Sequence, residues 1–186
     1  MAWTWYLLGA SSGAETKLHD ELARVLDGRA PTVEDVPRLE YTRAIIAESM
    51  RLYPPAWTMG RKAVERHAID GHTIEPGALV IVSQWIAHHD PRWWESPDEF
   101  KPERWQSQAG NSESGTGNRP PRPKYAYFPF GGGSRICIGE SFAWTEAILL
   151  LATIAQRWRF VARSTPGLEP RITLRPKNLS MQATPR

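Results

Sequence analysis

The chain has 186 residues, of which 41% are hydrophobic and 23% charged, a balance typical of a globular protein and unlike that of a disordered one. A formal net charge of +3 gives no reason to expect nucleic-acid binding, although it permits a basic docking face for an acidic protein. The single cysteine excludes an internal disulfide and fits a reducing compartment, and the longest apolar run, residues 147–155, is far shorter than the roughly 20 residues of a membrane span. We therefore expect a cytoplasmic protein without a membrane span.

The N-terminal region predicts two helices. Residues 3–8 form an apolar run that stops at Gly9, a residue suited to the left-handed conformation that closes many helices. This run has no N-cap residue and is too short to form a stable helix alone, so we expect the chain to start inside an element. Ser12 and Glu15 have the spacing of a capping box. The helix that they open carries an apolar face, formed by Leu18, Leu22, Val25 and Leu26.

A third helix is predicted over residues 39–52, ending before Pro54 and Pro55. Within it Glu48 and Arg51 are three positions apart, so the two side chains lie on one helix face and can form an ion pair. Such pairs occur by chance in many helices, and an exposed pair contributes little to stability. The spacing alone leaves open whether this pair is a surface feature or a structural one.

Beyond this helix the hydrophobic period changes to that of strands. Residues 64–69 predict a strand, residues 70–71 give a hairpin signal, and Leu79–Val82 is an apolar run typical of a central strand. His88 and His89 invite a metal-site hypothesis, but adjacent side chains point apart and no third ligand follows at a recognised spacing. We expect both histidines to be packing or surface residues.

A polar connection separates the two halves of the sequence. Residues 106–124 are rich in Ser, Gly, Asn, Arg and Pro, which predicts a flexible loop inside one domain that spans residues 1–186. A helix is predicted over residues 140–158. Its expected core-facing side chains are Phe142, Ala143, Leu149, Leu150 and Ile154.

The C-terminal residues alternate between apolar and polar side chains. Residues 159–162 and 171–182 are therefore predicted to be antiparallel strands, with a turn at Lys177 and Asn178.

A glycine-rich loop contains the only cysteine. Three consecutive glycines, residues 131–133, permit tight turns or close approach to a flat ligand. Cys137 follows, near Arg135 and just ahead of a helix, and both neighbours favour the thiolate. A thiolate flanked by glycines is a good ligand for a metal in a planar macrocycle. The alternatives are a buried structural thiol and a redox-sensing thiol.

The order and spacing of this loop resemble those of a known family. Phe130, Gly133, Arg135, Cys137 and Gly139 match the F-x-x-G-x-R-x-C-x-G haem-binding loop of cytochrome P450. Five fixed positions in ten residues make a specific signal, which is much stronger than a lone glycine motif.

Two further motifs of the family occur at the expected places upstream. Glu48 and Arg51 form the E-x-x-R motif, and Pro102, Arg104 and Trp105 belong to the P-E-R-[FW] motif. The resemblance implies that Glu48, Arg51 and Arg104 form a buried network of three charges that braces the haem loop. A network of this kind is costly to break at one member.

The resemblance also implies the cofactor and its ligands. Cys137 would be the axial thiolate ligand of haem b iron and the catalytic centre of the chain. Arg61 and Arg135 would bind the haem propionates, a geometry that suits guanidinium groups. The other cofactor-binding positions implied for the loop are Phe130, Gly131 and Gly139.

The implied fold is mainly α with a small antiparallel β-sheet, as in the C-terminal portion of the cytochrome P450 fold. Family members are much longer than this chain, so we expect the domain to be truncated. The missing part would supply most of the distal wall of the substrate pocket. The tip of the C-terminal hairpin, near Asn178, would reach what remains of that pocket.

The implied activity is monooxygenation, the insertion of one oxygen atom from O2 into a small hydrophobic organic substrate. Electrons would come from NAD(P)H through a ferredoxin- or flavodoxin-type partner. Two alternatives stay open. The chain could be a non-catalytic haem-binding remnant, or half of a split enzyme that an N-terminal chain completes. It could also be a peroxide-using haem-thiolate enzyme or an isomerase, which needs no reductase.

Overall fold

The computed structural model describes residues 1–106 and 122–186. The predicted loop at 106–124 therefore falls for the most part, over 107–121, outside the described residues. The α-helices of the described part are α1 (Ala2–Gly9), α2 (Ser12–Leu26), α3 (Glu40–Leu52), α4 (Gln84–His88) and α5 (Glu140–Ala155). Short 3-10 helices occur at Val33–Arg38, Pro102–Trp105, Lys124–Ala126 and Gly133–Arg135.

The strands of the described residues form four antiparallel pairs. In chain order they are β1 (Met59–Lys62), β2 (His67–Ile69), β3 (His72–Ile74), β4 (Leu79–Val82), β5 (Trp158–Ala162), β6 (Gly167–Pro170), β7 (Leu174–Lys177) and β8 (Met181–Pro185). Strand β1 pairs with β4, β2 with β3, β5 with β8, and β6 with β7. Helices with small antiparallel sheets confirm the predicted fold class.

The core lies between helices α2, α3 and α5. Helix α2 contributes the apolar face predicted from its sequence, because residues spaced three and four apart share one side of a helix. Helices α3 and α5 pack against that face with Ile45, Ile148 and Leu151, none of which is exposed to solvent. The core therefore fixes α3, which carries the E-x-x-R motif, against α5, which follows the cysteine loop.

The start of α3 is held by a side chain from α2. Its N-cap position is Leu39, which has no side-chain acceptor for the first free N–H groups of the helix. The buried Glu21 carboxylate accepts hydrogen bonds from the Tyr41 N–H (2.6 Å), the Thr42 N–H (2.8 Å) and the Thr42 hydroxyl (2.7 Å) instead. A carboxylate also suits the positive end of the helix dipole.

The capping box predicted at Ser12 and Glu15 is wrong. Ser11 is the N-cap of α2, without a side-chain capping bond, and Ser12 is already helical. A capping box forms at Thr32 instead, where the backbone N–H donates to Asp35 at 2.9 Å. Asp35 is also held by Arg29 (2.6 Å), so the acidic residue that completes this box is fixed by a partner.

Gly9 does not have the left-handed conformation predicted for it. It is the last helical residue of α1, and the residue after it, Ala10, has φ −94°. The glycine is needed for another reason: a Cβ atom built on it would lie 2.3 Å from the Phe160 carbonyl oxygen. Helix α1 thus approaches strand β5 backbone to backbone at this point.

We expect Gly9→Ala to lower the free energy of unfolding by roughly 1–3 kcal/mol, as overpacking of a close contact does. The backbone of β5 would have to shift, because the clashing atom belongs to the main chain. Gly13→Ala is the matched control, since a Cβ there meets nothing within 4 Å. Urea unfolding of both variants measures the difference, and equal stabilities would contradict the close-packing role of Gly9.

Two predictions about the first strands need correction. Of residues 64–69 only His67–Ile69 is a strand, and β1, which precedes them, was not predicted. The run Leu79–Val82 is not central, since its described partner is β1 alone. Leu79 and Ile81 are 66% and 65% exposed, so this apolar strand lies at the surface of the described residues.

Helix α5 is shorter than predicted, and it buries a different face from the predicted one. It ends at Ala155, and Trp158 already belongs to β5. Its buried residues include Ile148, Leu151 and Ala152, whereas Phe142, predicted to face the core, is 71% exposed. No helix in the described ranges is long and apolar enough to cross a membrane.

The C-terminal hairpin turns at a different place from the one predicted. Strands β6 and β7 pair from Gly167 with Lys177 to Pro170 with Leu174, so the tip comprises residues 171–173. Asn178, with φ 61°, lies at the opposite end of β7, in the connection to β8. The expectation that the tip lies near Asn178 is therefore wrong.

Candidate active site

Helix α3 presents a buried ion pair at its C-terminal end. Arg51 donates from Nε to Glu48 Oε2 at 3.0 Å and from Nη2 to Glu48 Oε1 at 2.9 Å. Neither side chain is exposed to solvent. The two-point geometry matches the planar guanidinium to the carboxylate, which makes such a pair strong and directional.

The P-E-R-W segment closes this pair from the other side. Arg104 Nε donates to Glu48 Oε1 at 2.9 Å, and Trp105 Nε1 donates to Oε2 at 2.9 Å. The backbone N–H of Lys101 donates to Oε1 at 3.1 Å. The structure thus brings Glu48, Arg51 and Arg104 together, and it adds Trp105, for which the sequence predicts no role in the network.

Arg51 connects this network to the segment between α4 and the P-E-R-W turn. Its Nη1 donates to the carbonyl oxygens of His88 (2.8 Å) and Pro97 (2.6 Å), and its Nη2 to that of Glu99 (3.2 Å). The guanidinium also lies 5.1 Å from the ring centre of the buried Trp94. With its polar hydrogens satisfied in this way, the buried charge fixes a long irregular segment.

The cysteine loop is closed by its own backbone. The Cys137 N–H donates to the Phe130 carbonyl at 2.9 Å, and the Gly131 N–H donates to the Phe128 carbonyl at 2.9 Å. Gly131 and Gly133 have φ +80° and +69°, the left-handed region that glycine adopts without strain. The Glu140 N–H then donates to the Cys137 carbonyl (3.3 Å) as α5 begins.

The face of the loop that carries Cys137 is open and apolar. Cys137 is exposed, as are the flanking Ile136 and Ile138, and Phe142 follows on the first turns of α5. A Cβ built on Gly133 meets nothing within 4 Å, whereas one built on Gly139 would lie 3.8 Å from the Cys137 sulfur. An exposed apolar surface around an accessible thiol is a place where a flat apolar group can bind.

The other side of the loop is packed. A Cβ on Gly132 would lie 2.5 Å from Tyr125 Cε1, and one on Gly131 would lie 3.3 Å from the Met59 side chain at the start of β1. Strand β1 therefore begins beside the loop.

The two arginines implied for propionate binding are both exposed. Arg61 lies on β1, and its Nη1 donates only to the Gly60 carbonyl (2.9 Å) in the described residues. Arg135 lies in the loop, within the 3-10 turn ahead of Cys137. Neither guanidinium forms an ion pair within residues 1–106 and 122–186, so both charges are available to an anionic ligand.

His88 has a more specific place than the sequence suggested. Its ring is fully buried at the end of α4, and Nε2 accepts the Phe128 N–H at 3.0 Å. His89 stacks on Trp85, and its Nδ1 lies 2.7 Å from the Trp85 carbonyl oxygen. The two rings have separate surroundings, and the part of the chain that the structure describes holds no cluster of three or more potential metal-ligating side chains.

Burial lowers the pKa of His88 to about 3, and the nearby Arg51 charge acts in the same direction. The imidazole is therefore neutral at physiological pH, which leaves Nε2 free to accept a hydrogen bond.

We expect this histidine to make the fold acid-sensitive. An unfolded histidine binds its proton near pH 6.5, so the unfolded chain holds more protons than the folded chain between pH 6.5 and about 3, and stability falls as the pH falls through that window. Between pH 7 and pH 5 the loss from this group is about 2 kcal/mol. Urea unfolding at both pH values, compared with His88→Gln, measures it. An unchanged pH dependence in the variant would contradict the assignment.

These features fit a haem. The cysteine side of the loop offers an accessible sulfur within an apolar surface, and two arginines near the loop have no carboxylate partner in the described ranges. Gly133, which has a positive φ, adds no side chain to the loop, and a Cβ atom built on it would meet nothing within 4 Å. The donor set, one thiol and no histidine, is the set that a haem-thiolate protein uses.

Comparison with known proteins identifies the class. The sequence model described as Cytochrome P450 matches residues 1–184. The chain therefore belongs to the cytochrome P450 family.

Individual relatives agree with this assignment. The chain is 41% identical to cyclooctatin synthase from Streptomyces melanosporofaciens, an alignment that covers 100% of this chain and 39% of that protein. It is 42% identical to cyclooctat-9-en-7-ol 5-monooxygenase from the same organism, over 90% of this chain and 34% of the relative. It is 41% identical to putative cytochrome P450 132 from Mycobacterium tuberculosis, over 96% and 37%.

The chain thus spans between 34% and 39% of the length of these relatives. The helices and small sheets described above correspond to the C-terminal portion of the family fold.

Proposed function

We propose that this chain supplies the haem-thiolate site of a monooxygenase, with Cys137 as the axial ligand of haem b. The observation that carries the proposal is the accessible Cys137 side chain, on a loop closed by its own N–H to the Phe130 carbonyl and surrounded by exposed apolar residues. A buried structural thiol would not be presented in this way.

Each part of the site has a role in this proposal. The Cys137 thiolate binds the iron, while Phe130, Gly131 and Gly139 shape the loop around it. Arg61 and Arg135 bind the two propionates through charge-assisted hydrogen bonds. Glu48, Arg51 and Arg104 hold the preceding segment in place, which keeps the sulfur at a fixed position. Haem bound through a thiolate supplies the activation of dioxygen that insertion of an oxygen atom requires.

The proposed substrate is a small hydrophobic organic molecule. One relative is named cyclooctat-9-en-7-ol 5-monooxygenase, and the compound in that name is the first probe. Electrons would come from NADPH through a ferredoxin- or flavodoxin-type protein. The net positive charge of this chain suits an acidic partner of that kind.

The activity test uses the haem-reconstituted chain with ferredoxin, ferredoxin reductase, NADPH and cyclooctat-9-en-7-ol under labelled oxygen gas. We expect a product that carries one labelled oxygen atom with the wild type and none with Cys137→Ser. Product formed with hydrogen peroxide, but not with the reductase system, would replace the proposal by the peroxide-using alternative. Haem uptake without product in either system would support the alternative that the chain is a non-catalytic haem-binding remnant.

A second candidate function is half of a split enzyme, and the outer face of α5 favours it. Phe142 is 71% exposed and Leu150 is 43% exposed. With Leu149 and Thr153 they line an open groove of about 330 Å³. An apolar surface of this kind on a soluble domain marks a binding site.

In this candidate function an N-terminal chain of the same family covers the groove. Mixing this chain with the N-terminal portion of cyclooctatin synthase, followed by size-exclusion chromatography with haem, tests it. We expect a complex with one haem per pair, and Phe142→Ser should weaken it. Separate elution of the two chains would contradict the split-enzyme candidate.

A further inference from the structure

His88 contacts the backbone that leads into the cysteine loop. Its Nε2 accepts the Phe128 N–H at 3.0 Å, although the two residues are forty positions apart. The ring also packs edge-on against the Phe128 ring (centroids 5.5 Å apart) and at a tilt against Tyr127 (5.1 Å). With its ring fully buried, His88 has little freedom to move away from this contact.

The hydrogen-bonded part of the cysteine loop begins at Phe128. Its carbonyl accepts the Gly131 N–H at 2.9 Å, which sets the first turn. Phe130, two residues on, accepts the Cys137 N–H at 2.9 Å. A change in the position of the Phe128 peptide would therefore reach Cys137 through the Phe128–Gly131 turn and the hydrogen bond between Phe130 and Cys137.

The backbone of His88 is fixed by the charge network. Its carbonyl accepts Arg51 Nη1 at 2.8 Å. His88 is thus held at its main chain by the E-x-x-R pair and holds the Phe128 peptide with its side chain. This makes one continuous connection from Glu48 and Arg51 to the Cys137 loop.

We propose that His88 is a positioning residue for Cys137, acting through the Phe128 peptide as the link between the charge network and the haem loop. Its effect on the loop is a property of the chain alone, while its effect on the iron rests on the proposed function. The imidazole must carry its proton on Nδ1, because Nε2 is the acceptor. At neutral pH the lowered pKa of the ring keeps that state populated.

Two substitutions distinguish the effect of losing the hydrogen bond from the effect of losing the imidazole ring. In His88→Gln the amide oxygen reaches about as far as Nε2 and can still accept the Phe128 N–H. In His88→Asn the side chain extends only as far as Nδ1 and leaves that N–H without an acceptor. His89→Asn is the control, because His89 contacts Trp85 and not the loop.

The first readout needs no haem. Hydrogen exchange of the Phe128, Gly131 and Cys137 amides should be roughly tenfold or more faster in His88→Asn than in the wild type, as expected for a lost buried hydrogen bond. His88→Gln and the His89→Asn control should stay close to the wild type. Equal protection in His88→Asn and His88→Gln would overturn the proposal.

The second readout uses the haem-loaded chain. In His88→Asn we expect faster haem loss and a smaller share of the thiolate-type ferrous carbon monoxide band, with both restored in His88→Gln. If the wild type itself takes up no haem, the proposed function fails, and hydrogen exchange still decides the role of His88. If the wild type binds haem and His88→Asn shows an unaltered haem band, the proposed effect of His88 on the iron is overturned.

A third measurement covers the case in which His88→Asn does not fold. The nitrogen chemical shifts of the His88 ring in the wild type report which nitrogen carries the proton. An unprotonated Nε2 with a hydrogen bond to the Phe128 amide supports the proposal. A protonated Nε2 would overturn it, because that nitrogen could not accept.

Discussion

Glu48→Gln should destabilise the chain by roughly 3–5 kcal/mol, the usual result of removing one partner from a buried ion pair. Glu48 Oε1 accepts from Arg51, Arg104 and the Lys101 N–H, and Oε2 accepts from Arg51 and Trp105. A glutamine keeps one of these oxygens and turns an NH2 group toward the remaining donors. The Arg51 charge would then be buried without a counter-charge.

This loss is large compared with the 5–15 kcal/mol that typically stabilises a domain, so the variant should unfold at much lower urea or be recovered unfolded. Glu75→Gln is the matched control. Glu75 pairs with Arg66 at 2.5 Å, but both side chains are exposed, and such a pair contributes less than about 1 kcal/mol. Similar unfolding midpoints for the two variants would contradict a structural role for the Glu48 network.

Cys137→Ser should separate folding from cofactor binding. The cysteine is exposed, so without haem the unfolding free energy should change by no more than about 0.5 kcal/mol. Haem that binds only the folded state should raise the melting temperature of the wild type, since a ligand stabilises the state that it binds. In Cys137→Ser that increase should be lost or greatly reduced.

Ser134→Ala, an exposed change in the same loop, serves as the control and should keep the increase. The measurement is thermal unfolding of the three proteins with and without haem. An equal haem-dependent increase in the wild type and Cys137→Ser would mean that haem binds without the thiolate.

The motifs of the site could be predicted because each is a short pattern at a fixed spacing. Glu48 and Arg51 lie one helical turn apart, and the cysteine loop has Gly131 and Gly133 where its backbone takes a positive φ. The place of Arg104 in the network came from the resemblance to the family, because it lies 56 positions from Glu48 and no local spacing joins the two.

The predictions that failed involve partners far away in the sequence. Helix α5 is apolar on nearly all sides, so periodicity could not tell that Ile148 faces the core and Phe142 faces outward. The apolar run Leu79–Val82 has the composition of a central strand. Nothing in the run itself shows that β1 is its only strand partner in the described residues. Gly9 was misread since its close contact, the Phe160 carbonyl, belongs to a strand at the other end of the chain.

The contact between His88 and Phe128 had no signal in the sequence at all. A buried histidine that accepts a backbone N–H looks the same in sequence as one that merely fills space. Glu21 is a similar case, because its role in starting α3 depends on how two helices meet. Both residues act through contacts that only the packed structure defines.

The ferrous carbon monoxide spectrum of the purified, haem-loaded chain tests the central claim most directly. A strongly red-shifted Soret band, absent from Cys137→Ser, is the predicted result, because only a thiolate ligand produces it in this chain. A histidine-type band that Cys137→Ser leaves unchanged, or no haem uptake at all, would contradict the claim that Cys137 and its loop form a haem-thiolate site.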